Sequence, residues 1–341
     1  MSAPAPPPPP HSPPVPDPRT PAREGDRTAP EIPRDTLRLR GWRGRGGEPP
    51  DTRGDFVGDR PPTYEPEPTS LPLATAGTLA DLVSDTVLDG AHYGTMTLRT
   101  ASIRGDSARY RGEPRRDAVL TARFGAGDEA LLLVAVATGA RAAEQAHLAA
   151  RDACLWIGGA VGRSHARLAE DIREGRRGSL KSGLHRLTGR SYGLMRAKAA
   201  DLGSVAGEYT AALRCLLLPA DPSCRTRVFF GTGPGGLFRL RDGAWQDLEP
   251  AAGDPTAPPG EAGEPTLPFV FRASVARPDD VLLLCSQGLA EPLRGQPALT
   301  DRLAERWHDG EPPGLAAFLA DVQLRAKGYA DDRTAAAVWE S

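Results

Sequence analysis

Twenty of the 35 prolines in this 341-residue chain lie in residues 1–73, which leaves fifteen for the other 268. Proline lacks the amide proton that helix and sheet ladders need, and it biases a chain toward polyproline II. A segment this rich in proline and this poor in apolar residues does not offset the entropy of ordering itself. Residues 1–73 are therefore expected to be a disordered Pro/Arg/Gly-rich tail, dispensable for folding, and residues 74–341 the folded domain. A body of that length buries roughly 70–75% of the surface its unfolded chain exposes.

The tail holds ten Arg, no Lys and eleven Asp plus Glu, so it is close to neutral. One stretch differs, Arg38-Leu39-Arg40-Gly41-Trp42-Arg43-Gly44-Arg45-Gly46-Gly47. Arginine, glycine and one tryptophan suit stacking on single-stranded nucleic acid; the preferred reading is a solvated linker. The whole chain has a net charge of −2 and a pI of about 6.3, which argues against nucleic acid as a general partner. No apolar run approaches the ~18 residues of a membrane span, so no membrane partner is expected. The N-terminus reads MSAPAPPPPP, without the basic and apolar regions of a signal peptide. Cys154, Cys215, Cys224 and Cys285 form no CxxC pair. That excludes a zinc ribbon, disfavours a disulfide framework and points to free thiols in a reducing cytoplasm.

Within the body, Met96–Ile103 alternates as a strand, and Ala118–Phe124 follows as another. Ala130–Thr138 (ALLLVAVAT) is a continuous apolar run of strand length, expected inside a sheet and covered on both faces. Residues 142–172 read as a long alanine-rich helix, residues 173–182 as a basic, glycine-containing break, and Leu184–Asp201 as a second helix. Short strands come next: Tyr209–Leu218, Arg225–Gly231, Gly236–Leu240 and, across an Arg241-Asp242-Gly243 turn, Ala244–Leu248. Residues 250–267 are a Pro/Gly/acidic loop. Strands Phe269–Val275 and Val281–Ser286, helices Leu299–Trp307 and Gly314–Ala326, and a last strand Thr334–Trp339 complete the chain. This order is not a βαβ alternation. It implies an α+β fold with antiparallel strands segregated from helices.

Five short polar segments follow or precede these apolar strands. They are Gly112–Ala118 (GEPRRDA), Ala137–Ala140 (ATGA), Gly231–Gly236 (GTGPGG), Cys285–Gly288 (CSQG) and Tyr329–Thr334 (YADDRT). In order and spacing, over about residues 98–340, they resemble the metal-dependent protein phosphatase 2C family. There the corresponding segments carry a ligand position before Asp-Ala, Asp-Gly after a strand, Gly-Asp-Ser/Gly, Ser-Asp-Gly and Asp-Asp/Asn-x-Thr. The resemblance implies an αββα sandwich of two antiparallel sheets with a two-metal site at one end. Hard cations take oxygen ligands, mostly carboxylates, and a pair of them activates a bridging water for attack on a phosphomonoester.

Carried over position by position, most ligand positions are altered. Arg116 stands at the first, Thr138 at the bridging aspartate, Thr232 in the third segment and Gln287 in the fourth. Gly139 keeps its backbone carbonyl. Asp331 holds the last ligand position with Asp332 beside it, and Asp117 survives in a supporting place. An alternative alignment would place ligands at Glu144, Asp152 or Asp301. The glycines of 231–236 lack the Lys-Ser/Thr of a phosphate-binding loop, His147 and His165 form no metal pair, and Ser286 is not in a nucleophile elbow.

The resulting expectation is a catalytically degenerate protein phosphatase 2C-like module, a pseudophosphatase that needs no cofactor. The alternative is a weakly active Ser/Thr phosphatase using manganese or magnesium. A third reading makes the proline-rich tail an adaptor for aromatic-grooved domains. Phosphoproteins or Ser/Thr kinases are the partners the family implies. Arg109, Arg111, Arg115 and Arg116 form a candidate anion site, since a guanidinium fork suits phosphate. Arg116 is read either as part of that site or, preferably, as a plug that neutralises Asp331 or Asp117.

Overall fold

In a computed structural model, residues 56–141, 143–204, 207–249 and 268–341 are described. The tail assignment for residues 1–55, the Arg38–Gly47 stretch and the whole 250–267 loop lie outside them. The elements run β1 (Phe56–Val57), β2 (Thr86–Tyr93), β3 (Met96–Ile103), α1 (Asp106–Arg111), β4 (Asp117–Phe124), β5 (Leu131–Gly139), α2 (Ala146–Arg173) and α3 (Arg177–Asp201). Then come β6 (Ala211–Pro219), β7 (Thr226–Thr232), β8 (Gly236–Arg241), β9 (Ala244–Asp247), β10 (Phe269–Val275) and β11 (Val281–Cys285). The chain closes with α4 (Gln287–Gly295), α5 (Pro297–Trp307), α6 (Leu315–Gln323), β12 (Arg325–Ala326) and β13 (Arg333–Glu340).

Two antiparallel sheets carry the fold, in strand orders β10-β7-β6-β5-β4 and β2-β3-β13-β11-β8-β9. The apolar run of β5 shows how they stack. Leu131, Leu133, Ala135 and Ala137 pack toward Ile157 and Val161 of α2. Leu132, Val134 and Val136 point the other way, toward Leu98, Leu284 and Val338 of the second sheet. Period-two alternation thus feeds two separate cores from one strand. A third core lies under α4–α6, around Trp307, Phe318 and Trp339. The layers are helix, sheet, sheet, helix. Gly158 has a packing reason, because a Cβ there would sit 2.6 Å from Leu120 on β4.

The expected break over 173–182 is corrected to a reversal of three residues, 174–176, and α3 begins at Arg177. Gly175 takes φ +66°, and the Arg176 amide and guanidinium both donate to Asp171, which holds the chain reversal tightly enough for helix to resume at once. Residues 56–73 also make contacts. β1 pairs in parallel with β12, the Ser70 amide donates to the Arg109 carbonyl over 3.1 Å, and the Tyr64 and Tyr110 rings lie 5.4 Å apart. The folded body therefore reaches back to Phe56, N-terminal to the 73/74 boundary drawn from proline density. Proline lacks a donor, yet it leaves the main chain free to lie against a body. Among the described residues, no helix is long and apolar enough to cross a membrane.

Candidate functional site

Strand register brings the polar segments together. Asp117 opens β4 directly across from Thr138 near the end of β5. Arg333 opens β13 across from Ile103 at the end of β3, and Cys285 ends β11 beside Ala335 of β13. The start of β4, the end of β5, the end of β11 and the start of β13 thus share one end of the sandwich. A cavity of about 220 Å³ opens there, lined by Arg116, Asp117, Thr138, Gly139, Gln287 and both Asp331 and Asp332, with Arg141 at its edge. Gly139 is required at this place, since a Cβ would stand 2.0 Å from the Ala146 carbonyl oxygen. A larger groove of about 810 Å³ adjoins it and shares Arg116, Arg141 and Asp331.

The floor of the site is a buried hydrogen-bond network. Asp117 accepts from Thr138 Oγ1 at 2.6 Å and from Thr334 Oγ1 at 2.8 Å. Thr334 is tied in turn to Ser102 at 2.7 Å, and its amide donates to Ser286 Oγ at 3.0 Å. Asp332 accepts the Gly105 amide at 2.7 Å and the Arg116 amide at 2.6 Å. Burial pushes Asp117 up to about 7, and the nearby Asp332 charge adds to it. Burial also raises Asp332, against the pull of its two backbone donors.

The rim is built from charged side chains. Asp331, 33% exposed, lies 3.8 Å from an Arg116 Nη and is bonded by Arg141. Gln287 is turned along α4 to bond Glu291. Thr232 is not brought to the cavity; it is buried and bonded to the Tyr192 hydroxyl, which donates to the Ala211 carbonyl at 2.6 Å.

The other arginines of the lead-in segment are engaged elsewhere. Arg109 forks onto Asp85 at 3.0 and 2.5 Å, and Arg104 joins it at 2.9 Å. Burial alone would raise Asp85, but the Arg109 and Thr86 bonds outweigh it and hold the carboxyl at about 2. Arg111 forks onto Glu113 at 2.6 and 2.8 Å. Arg115 is buried and donates to the Ser102 carbonyl at 2.6 Å, and its burial lowers its own pKa. Asp152, one alternative ligand, accepts from the Tyr209 hydroxyl at 2.6 Å, while Glu144 lines the larger groove. Among the described residues no group of three or more His, Cys, Asp or Glu is placed to hold a metal ion. Arg141 is the site residue that sequence reading missed. Its only signal is its place two residues beyond Gly139, in the turn that leaves β5.

The family model for protein phosphatase 2C matches residues 104–322. The chain belongs to the protein phosphatase 2C family. Its αββα sandwich is the fold of that family. A Streptococcus agalactiae serine/threonine phosphatase is 15% identical and covers 72% of this chain and 100% of its own, with a TM-score of 0.48. The Mycobacterium tuberculosis serine/threonine phosphatase PstP/Ppp is 19% identical, covering 72% and 99%, with a TM-score of 0.45. RsbX in complex with magnesium is 12% identical, covering 75% and 100%, with a TM-score of 0.47. A comparison with curated proteins gives no significant match.

Proposed function

We propose that this protein phosphatase 2C chain is a pseudophosphatase, a module that binds within phosphoprotein signalling and does not hydrolyse phosphomonoesters. The observation that carries this reading is the state of Asp331. The one carboxylate kept at a ligand position already faces two guanidinium groups, from Arg116 and Arg141. Two divalent ions would bring about +4 into the site, and hard cations need several anionic oxygens. The donor set here does not fit that load. Thr138 spends its hydroxyl proton on Asp117, Gln287 is neutral, and Arg116 repels cations. The geometry favours Arg116 as a plug over Arg116 as an anion reader, because a half-buried carboxylate left unpaired is costly.

The open groove beside the site has the size of a peptide or small-molecule cleft, which supports a binding role with a phosphoprotein or a Ser/Thr kinase as partner. Free cysteines, three of the four buried, support action in a reducing compartment such as the cytoplasm. The test is turnover of para-nitrophenyl phosphate by the purified full chain with manganese or magnesium. We expect no metal-dependent rate above background. Metal-dependent turnover that Asp331→Ala abolishes would overturn the reading and promote the weakly active phosphatase.

A further inference from the structure

We propose that the outer face of the α2–α3 hairpin is a docking surface for a carboxylate-rich segment of a partner protein. Residues 163–198 hold ten Arg plus Lys against three Asp plus Glu, a surplus of seven positive charges. The whole chain has a net charge of −2, so everything outside this hairpin segment sums to −9. The three acids, Glu170, Asp171 and Glu174, are all bound by Arg176 near the reversal. Further along, Arg163, Arg186, Arg190, Arg196 and Lys198 are exposed. None of these five side chains makes an ion pair or hydrogen bond among the described residues. Arg186 and Arg190 are like charges one helical turn apart, an arrangement that weakens an isolated helix. Nothing inside the fold repays that cost.

The glycines of α3 point the same way. Gly183, Gly189 and Gly193 have open space where a Cβ would stand. Each lowers helix propensity relative to alanine, and no packing neighbour requires it. At 3.6 residues per turn Gly189 and Gly193 fall on the outer side with Arg186 and Arg190, opposite the buried Leu184, Thr188, Ser191 and Met195, and Gly183 lies at the edge of that side. The face is therefore a floor of small residues between arginine forks. Such a floor admits a partner's main chain close to the helix, while the forks reach its carboxylates in bidentate pairs.

The charge distribution selects the occupant. A nucleic acid or an anionic leaflet is longer than this plate, and the chain outside the plate is net negative. A short acidic segment meets only the plate, within a Debye length of its arginines. Bilayer insertion is disfavoured as well, since Leu194 is the one large apolar side chain exposed on α3.

The experiment uses the full chain and a fluorescent Glu-rich helical peptide, with a short DNA duplex and phosphatidylserine vesicles as parallel probes. The expected result is saturable peptide binding at low salt that weakens as salt rises. Arg186→Glu with Arg190→Glu should lower the affinity roughly tenfold. Gly189→Ala with Gly193→Ala leaves the charge unchanged; it should raise the melting temperature and still weaken peptide binding severalfold. The proposal is overturned by an absence of peptide binding at low salt, or by tighter binding of duplex or vesicles than of peptide. It is equally overturned if either pair of substitutions leaves the peptide affinity unchanged.

Discussion

Asp331 and Asp332 are adjacent in the chain, and their surroundings differ in every respect that matters. Asp332 is 4% exposed, and its two oxygens take the backbone amides of Gly105 and Arg116. It joins the loop after β3 and the lead-in to β4 to the start of β13. Asp331 is 33% exposed and meets only side chains, the guanidinium groups of Arg116 and Arg141. One carboxylate is a joint of the fold, while the other holds no backbone in place. The same division runs through the rest of the site. Asp117, Thr138, Thr334 and Ser286 form a buried network that ties strand ends across the two sheets. Arg116, Gln287 and Asp331 sit on the rim. Folding constrains the floor, because an unmet buried polar group is expensive. The rim is constrained only by whatever it binds.

Truncating each aspartate in turn separates the two roles most strongly. Asp332→Ala strips two buried backbone amides of their acceptor. The expected loss is about 3 kcal/mol of folding stability, read from the urea midpoint. Asp331→Ala removes one long contact and one pairing with Arg141, whose side chain is 74% exposed. The expected change is below about 1 kcal/mol. Equal losses from the two variants would erase the distinction between floor and rim.

A smaller effect depends on pH. Burial first, and the Asp332 charge second, push the Asp117 carboxyl from 3.8 to about 7. Between those values the folded state holds a proton that the unfolded chain has released. Stability therefore falls as pH rises through this window, by at most about 1.4 kcal/mol per pH unit, and levels off above about 7. Asp117→Asn has no such proton, so the difference between wild type and variant isolates the slope. Thermal melts compared from about pH 5 to about pH 8 measure it. Parallel curves would mean that Asp117 is ionised and well solvated, contrary to a buried floor.

The sequence was most legible where one periodicity dominated. Met96–Ile103 and Phe269–Val275 match β3 and β10 residue for residue, and the apolar run of β5 sits between two sheet neighbours as expected. β2 was missed because TVLDGAHY does not alternate cleanly and carries a glycine. α1 has only six residues, and α4 opens on Gln-Gly and contains Pro292, so neither shows a helical period long enough to read. The contacts of residues 56–73 were hidden because they rest mostly on main-chain groups, one aromatic pair and the single apolar Val57, too few to leave a hydrophobic pattern. At the site, the order of the five segments was readable from turn residues after apolar strands. The partner of Asp331 was only half readable. Arg116 lies inside a motif, while Arg141 lies in none and reaches the carboxylate through the path of the turn after β5.

The smallest expected effect concerns what the rim does once its carboxylate is gone. In the wild type Asp331 competes with any other anion for Arg116 and Arg141. Arg116 is 16% exposed on its side chain, so its charge is screened less than that of Arg141. Its Nε is also buried without a hydrogen-bond partner among the described residues. Asp331→Ala leaves both guanidinium groups facing the cavity with no acid on the rim between them. Weak binding of inorganic phosphate should then appear where the wild type shows none, and it should fade as salt rises. Phosphorus NMR titration at low salt reads this directly. Phosphate binding by the wild type at equal strength would mean that Asp331 never occupied the arginines, and the plug would give way to an anion site already open in the native protein.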